Sequence, residues 1–182
     1  MIYIYLAEGF EETEMIFPLD LMRRAGLEVR TVSVTGERAV TGSHGITVTA
    51  DMTVSDSDYA PDSCELIMLP GGMPGTLNLE KSDEVQKALR FAFDNGRYIA
   101  AICAAPMVLG NAGLLEGKRA VCYPGFEQHL EGAVLTGGRV EVDGNYVTGC
   151  GMGAALEFSL ALTRLLKGDE AADKLFAAVL AK

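Results

Sequence analysis

The residue with the clearest chemical potential is Cys103. It follows the apolar run Tyr98–Ile102 and precedes Ala104-Ala105-Pro106, so a buried strand hands a thiol to a helix expected over Ala104–Asn111. Small neighbours at Ala101, Ala104 and Ala105 admit a cramped strand-to-helix turn of the nucleophile-elbow kind. Unpaired N–H groups and the positive end of the helix dipole would favour a thiolate there. The same cysteine also reads as a small buried hydrophobe, and spacing alone does not choose between the two. A second segment, Leu69-Pro70-Gly71-Gly72-Met73-Pro74-Gly75, lets backbone N–H groups approach an anion without side-chain obstruction, although a plain turn explains it equally well. The third is Glu8-Gly9-Phe10-Glu11-Glu12-Thr13-Glu14, four carboxylates in seven residues. Acids in a first helical turn ordinarily complement the dipole, yet one of the four could turn inward as a proton-transfer group.

These segments need a scaffold, and the hydrophobic pattern supplies one. Ile2–Ala7, Val29–Val34, Leu66–Leu69 and Tyr98–Ile102 read as short apolar strands. Between them, Glu11–Ala25 carries Met15, Leu19 and Met22 at helical spacing and stops at Gly26, with Pro18 expected in its first turns or at a kink. Ser82–Asn95 is an amphipathic helix with Ser82 as N-cap and Asp83 and Glu84 in its first turn. Ala39–Thr49 reads as a hairpin, and Arg139–Val142 and Tyr146–Thr148 flank the turn Asp143-Gly144-Asn145. Gly153–Lys167 and Glu170–Leu180 read as closing helices. Uniformly apolar strands alternating with helices predict an α/β fold, a mostly parallel sheet with helices on both faces. Ligands in such folds bind beyond the carboxyl ends of the strands, where all three chemical segments fall.

Composition narrows the function classes. The 182 residues fit one domain with a single core, at 49% hydrophobic and 22% charged. The net charge of −10, with no basic cluster beyond Arg23-Arg24 at a helix end, argues against nucleic acid and anionic membrane as partners. Tyr98–Leu109, the longest nearly apolar stretch, contains Pro106 and falls short of the ~20 residues a membrane span needs. Four widely spaced cysteines (Cys64, Cys103, Cys122, Cys150) show no metal-ligand spacing, and the N-terminus has no export pattern. Reduced thiols and a cytoplasmic location are the expectation, with no metal and no cofactor.

The segments Ala7-Glu8-Gly9-Phe10-Glu11-Glu12-Thr13-Glu14, Met22-Arg23-Arg24-Ala25-Gly26, Leu69-Pro70-Gly71-Gly72, Ala101-Ile102-Cys103-Ala104-Ala105-Pro106 and Thr148-Gly149-Cys150-Gly151-Met152-Gly153 together resemble the ThiJ/PfpI superfamily, in its DJ-one branch. The resemblance spans essentially the whole chain and implies a flavodoxin-like three-layer sandwich, ordinarily a homodimer. By resemblance, Cys103 is the reactive, easily oxidised cysteine and Glu14 the carboxylate that contacts its sulfur. An ionised Glu14 would raise the thiol pKa, whereas a protonated one could donate to a thiolate. The expectation is therefore a neutral, buried Glu14 hydrogen-bonded to an ionised Cys103. Gly71, Gly72, Ala104, His44 and Tyr123 fall at substrate-binding positions, with the Gly72 and Ala104 amides forming an oxyanion site.

The sequence also departs from that family. Ala104 and Tyr123 stand where its members carry histidine, Cys150 replaces an arginine, and Met152 replaces a proline. The acid at Asp20 thereby loses the histidine it would serve. His44 could supply a proton or bind an anion, whereas His129 reads as part of a short surface helix. Cys150 is expected near a pocket rim or dimer contact, Cys64 and Cys122 as structural, and Met73 and Met152 as gap-fillers. The implied activity is glyoxalase- or deglycase-like, acting on small reactive carbonyls such as methylglyoxal. The competing reading is a redox-responsive stress protein or chaperone that senses oxidants through Cys103.

Overall fold

A computed structural model describes residues 1–181. The first half runs β1 (Ile2–Leu6), α1 (Glu12–Arg24), β2 (Val29–Ser33), β3 (Ala39–Thr41), β4 (Thr47–Thr49), β5 (Met52–Thr53), β6 (Leu66–Leu69) and α2 (Gly75–Glu80). The second half runs α3 (Asp83–Asp94), β7 (Tyr98–Ile102), α4 (Pro106–Asn111), β8 (Arg119–Ala120), β9 (Val134–Leu135), β10 (Val140–Asp143), β11 (Tyr146–Gly149), α5 (Ala155–Lys167) and α6 (Asp169–Ala178). Seven strands form one sheet in the order β10-β11-β7-β6-β1-β2-β5. All its pairings are parallel except β10 with β11, the hairpin turned by Asp143-Gly144-Asn145.

The strands lack polar alternation because both faces of the sheet are covered. Along β1, Tyr3 and Tyr5 face a core built with Val85, Leu89 and Ala92 of α3 and Leu109 of α4. Ile2, Ile4 and Leu6 face the opposite core, with Met15 and Met22 of α1 and Phe158 and Leu162 of α5. The same two-sided burial holds for β6 and β7. α6 lies outside, packing Leu175 against Leu160 and Leu21. This is a flavodoxin-like three-layer α/β sandwich, in which β1, β6 and β7 all deliver their carboxyl ends to one edge.

Ser82 caps α3 by accepting from the Val85 N–H, and β3 pairs with β4 as a separate antiparallel hairpin. Pro18 lies inside α1 and is buried; having no N–H, it leaves the Glu14 carbonyl without its helical donor. Two local expectations are corrected. The Gly-rich segment after β6 does not merely turn. It leads into α2, whose first residue lies so close to the 9–10 backbone that a Cβ on Gly75 would come within 2.5 Å of the Phe10 nitrogen. The helix after Cys103 starts at Pro106 and has only six residues, so no long dipole acts on the thiol.

Candidate active site

Cys103 and Leu180 are the non-glycine residues with positive φ among those described, and Cys103 sits at +65°. The left-handed conformation costs an L-residue about 1–2 kcal/mol, so the surroundings must impose it. The Cys103 N–H donates to Gly149 O and its carbonyl accepts from the Tyr123 N–H, both at 2.8 Å. The Ala105 N–H turns back to Ile102 O at 3.0 Å. Ala101, Ala104 and Ala105 are all buried, and larger side chains would crowd this bend.

Glu14 approaches from the first turn of α1. That turn is capped by Glu11, whose Oε2 accepts from the Glu14 N–H and from the Thr13 hydroxyl, both at 2.6 Å. The Glu14 side chain is fully buried, and its Oε2 accepts from the Gly71 N–H at 2.9 Å. Gly71 is wedged between the two reactive groups: a Cβ there would lie 2.6 Å from Glu14 Oε2 and 2.7 Å from Cys103 Cβ. Gly72, at φ +89°, is pressed against the backbone of Phe10 and Glu11. The glycines of this turn thus serve close approach, and the Gly71 amide is spent on Glu14, leaving Gly72 and Ala104 as the amides that address the sulfur. Glu14 Oε1 is buried without a hydrogen-bond partner among the described residues. Beside that carboxyl lies the Cys103 thiol, near enough for each group to shift the other's pKa, although no hydrogen bond of ordinary geometry joins them.

Burial raises Glu14 from its ordinary 4.5 to about 7, with the Glu11 charge adding to the rise and the neighbouring Cys103 thiol and the Gly71 N–H opposing it. Burial also pushes the Cys103 thiol up from 9.0 to about 12, helped by the Glu14 carboxylate and opposed by the Ala104 and Gly72 amides. A buried Glu14 that readily holds a proton agrees in direction with the sequence expectation; a freely ionised Cys103 does not. The physical reason is that the thiol, although less buried than its partner, is itself desolvated and lies beside a carboxylate. The two behave as one coupled unit that sheds its first proton near neutrality and keeps the second. Protonating Glu14 removes its charge from the sulfur, after which the two amides favour thiolate.

The other candidate residues lie around this pair. His44, mostly exposed, sits in the β3–β4 loop with Nδ1 2.8 Å from Glu12 Oε2, and that carboxylate raises its pKa. It contacts α1 at Glu12, two residues from Glu14. Tyr123 is half-exposed, packs edge-on against Phe126 at 6.4 Å and covers Gly151, and its backbone rather than its hydroxyl is what binds Cys103. Asp20 pairs on the surface with Arg24. His129 ends a short 3-10 turn beside Asn111. Cys64 and Cys122 are buried, while Cys150 lines a groove of about 610 Å³ with Cys122, Pro124, Glu127 and Arg139 that includes neither Cys103 nor Glu14. Met73 and Met152 are exposed, so they fill no gaps: Met73 lies in the turn after β6 and Met152 opens a short 3-10 turn before α5. Glu11, Glu12 and His44 are the group among the described residues whose ligand atoms come within 4.8 Å of one another. Both carboxylates already accept N–H or O–H donors, which reads as a clamp and assigns no ion. The capping role of Glu11 escaped the sequence reading, although an acid three residues ahead of Glu14 is a helix-start signal.

A flavodoxin-like sandwich with a cysteine on a strained strand-to-helix turn and a buried glutamate beside it defines a class of thiol proteins, and comparison identifies which one. The DJ-1/PfpI family profile matches residues 1–165, and the chain belongs to that family. It is 41% identical over 173 residues to protein DJ-1 homolog B of Arabidopsis thaliana, covering 94% of this chain but only 39% of that relative. The chain likewise spans 44% of DJ-1 homolog A from the same plant. A protein of Pyrococcus abyssi named as a deglycase is 33% identical, with 91% of this chain and 99% of that one covered. Among solved structures, oxidized Toxoplasma gondii DJ-1 superposes with a TM-score of 0.93 at 36% identity, covering 98% of this chain and 97% of the other. Among the described residues no helix is long and apolar enough to cross a membrane.

Proposed function

We propose that this chain is a cysteine-dependent, cofactor-free enzyme of the glyoxalase or deglycase type, acting on small reactive carbonyls such as methylglyoxal. The observation that carries the reading is the convergence on one point of the Cys103 thiol, the proton-holding Glu14 and the Gly72 and Ala104 amides. The Pyrococcus relative named as a deglycase supports it. The Cys103 sulfur adds to the aldehyde carbon, its proton passes to the carbonyl oxygen, and a hemithioacetal forms. The Glu14 carboxylate takes the hydrogen from that carbon as a proton and returns it to the neighbouring carbon, while the hydroxyl proton of the first carbon passes to the former ketone oxygen, leaving a lactoyl thioester. The amides steady the oxyanion that develops in each half. Water then cleaves the thioester, releasing lactate and restoring the thiol. A pair that loses its first proton near pH 7 suits both the taking and the returning of that proton.

The test is lactate formation from methylglyoxal by wild type and Cys103→Ser, without added metal or glutathione. Turnover that is lost in the variant supports the reading, and no turnover in either overturns it. A second reading, a redox-responsive protein, is favoured by the buried Glu14 Oε1, which has no hydrogen-bond partner of its own among the described residues; one similar solved structure is an oxidized DJ-1. Mild peroxide would then add two oxygens to Cys103 alone, read by intact and peptide mass. We further propose a single-domain, cytoplasmic homodimer, with exposed Ile16 and Phe17 of α1 and Ile46 of the hairpin loop as its apolar contact. A monomeric mass by light scattering would overturn the dimer.

A further inference from the structure

Glu12 takes no part in the chemistry above, yet it is as buried as a core residue and carries a charge. Its side chain is only 3% exposed. Oε1 accepts from the backbone N–H of His44 at 2.8 Å and, more weakly, of Ile46 at 3.4 Å, while Oε2 faces His44 Nδ1 at 2.8 Å. The loop wraps this carboxylate so closely that a Cβ on Gly42 would collide with it. Further bonds complete the seam: Ser43 N–H to Phe10 O at 2.7 Å, Gly9 N–H to Thr41 O at 2.8 Å, and Thr41 N–H to the Glu8 carboxylate at 3.2 Å. β3 and β4 form a sheet of their own, so no ladder bond to the main sheet holds the hairpin in place. Val40 seats the hairpin in the core beside α1, and this cluster of contacts with residues 8–12 fastens its loop against the site.

We propose that Glu12 and His44 are positioning residues of the thiol site: the buried carboxylate fastens the 42–46 loop and its imidazole onto the helical turn that carries Glu14, so that the charge of His44 bears on the Cys103–Glu14 pair. The proposal rests on the reading of that pair as the reactive centre. The charged groups facing His44 are Glu12 and Glu11, with Ser43 Oγ 3.2 Å from the same ring nitrogen. Glu11 also bears directly on Glu14, so one carboxylate links the two protonation sites. An imidazolium offsets the Glu11 and Glu12 charges. When it becomes neutral, or is removed, the field at Glu14 grows more negative and Glu14 holds its proton to higher pH. A buried carboxylate–imidazole pair in the role of orienting and charging a neighbour is a familiar arrangement around active sites.

The experiment is the pH profile of Cys103 alkylation by iodoacetamide, read by peptide mass, in wild type, His44→Gln, His44→Arg, Glu12→Gln and the Glu12→Gln/His44→Gln double variant. The position is exposed, so His44→Gln is expected to fold; it should move the first inflection upward and slow alkylation below the midpoint about two- to threefold at low salt, the size expected of a partly screened charge. His44→Arg should restore the wild-type midpoint. In the Glu12→Gln background, where the imidazole loses its carboxylate partner and keeps only the more distant Glu11 charge, adding His44→Gln should move the midpoint much less than it does in wild type. A His44→Gln profile that superimposes on wild type overturns the proposal, as does an equal His44 effect with and without Glu12, which would make His44 an ordinary surface charge. Should Glu12→Gln not fold, the Gln and Arg variants of His44 still decide. A wild type with no inflection near neutrality would instead refute the reading of the pair, a separable failure.

Discussion

Replacing Glu14 by Gln tests the coupling at the centre of the site. In wild type the pair sheds its first proton at about 7, so the reactive ionisation state rises from roughly 50% of its plateau at pH 7 to about 90% at pH 8, a change of about 1.8-fold. Gln fills the same space and removes the second titrating group. The thiol is then left with its ordinary 9.0 raised further by burial and opposed by two amides, without a carboxylate beside it. A group titrating at or above 9 gains about ninefold between pH 7 and pH 8, so the two profiles differ in slope by about fivefold over a single pH unit. Second-order alkylation rates by iodoacetamide, measured on the Cys103 peptide, separate this thiol from the partly exposed Cys150. The wild type should level off above pH 8 while the variant continues to climb. Identical profiles would refute the reasoning, because they would show that Glu14 and Cys103 do not share a titration.

The same substitution should stabilise the fold at alkaline pH. Glu14 holds its proton to about 7 in the native state against an ordinary 4.5, so the native protein binds more protons in that window and stability falls as pH rises through it. Glu14→Gln removes this cost: no gain below pH 4.5 and up to about 3 kcal/mol above pH 7, measurable as an upward shift in urea midpoint at pH 8 but not at pH 4. Gly71→Ala would place a methyl group 2.6 Å from Glu14 Oε2 and 2.7 Å from Cys103 Cβ. It should cost about 1–3 kcal/mol in thermal unfolding and slow Cys103 alkylation, whereas a fully active, equally stable variant would contradict the packing described. Phe158→Ala empties a fully buried position between β7, β11 and α5 and should destabilise by about 3–5 kcal/mol with the Cys103 inflection unmoved.

Much of this molecule is legible in its sequence because the signals are local. Apolar runs at Ile2, Leu66 and Tyr98 announce strands buried on both faces, Ser82 announces a helix start, and Asp143-Gly144-Asn145 announces a hairpin; each is decided within a few residues by propensity, capping or turn geometry. The family motifs around Glu14, Gly71 and Cys103 named the centre of the site by resemblance. Other features were decided only by tertiary structure. Helix α2 was hidden because glycine and proline read locally as a turn, and its course follows from packing against Phe10. Local sequence treats Glu8, Glu11, Glu12 and Glu14 as four equivalent acids. The fold divides them: Glu8 and Glu12 secure the hairpin, Glu11 caps the helix, and Glu14 turns to the thiol. Their protonation follows the same division, since desolvation and charge–charge coupling depend on which distant segments close over each carboxylate, and no local pattern of residues contains those distances.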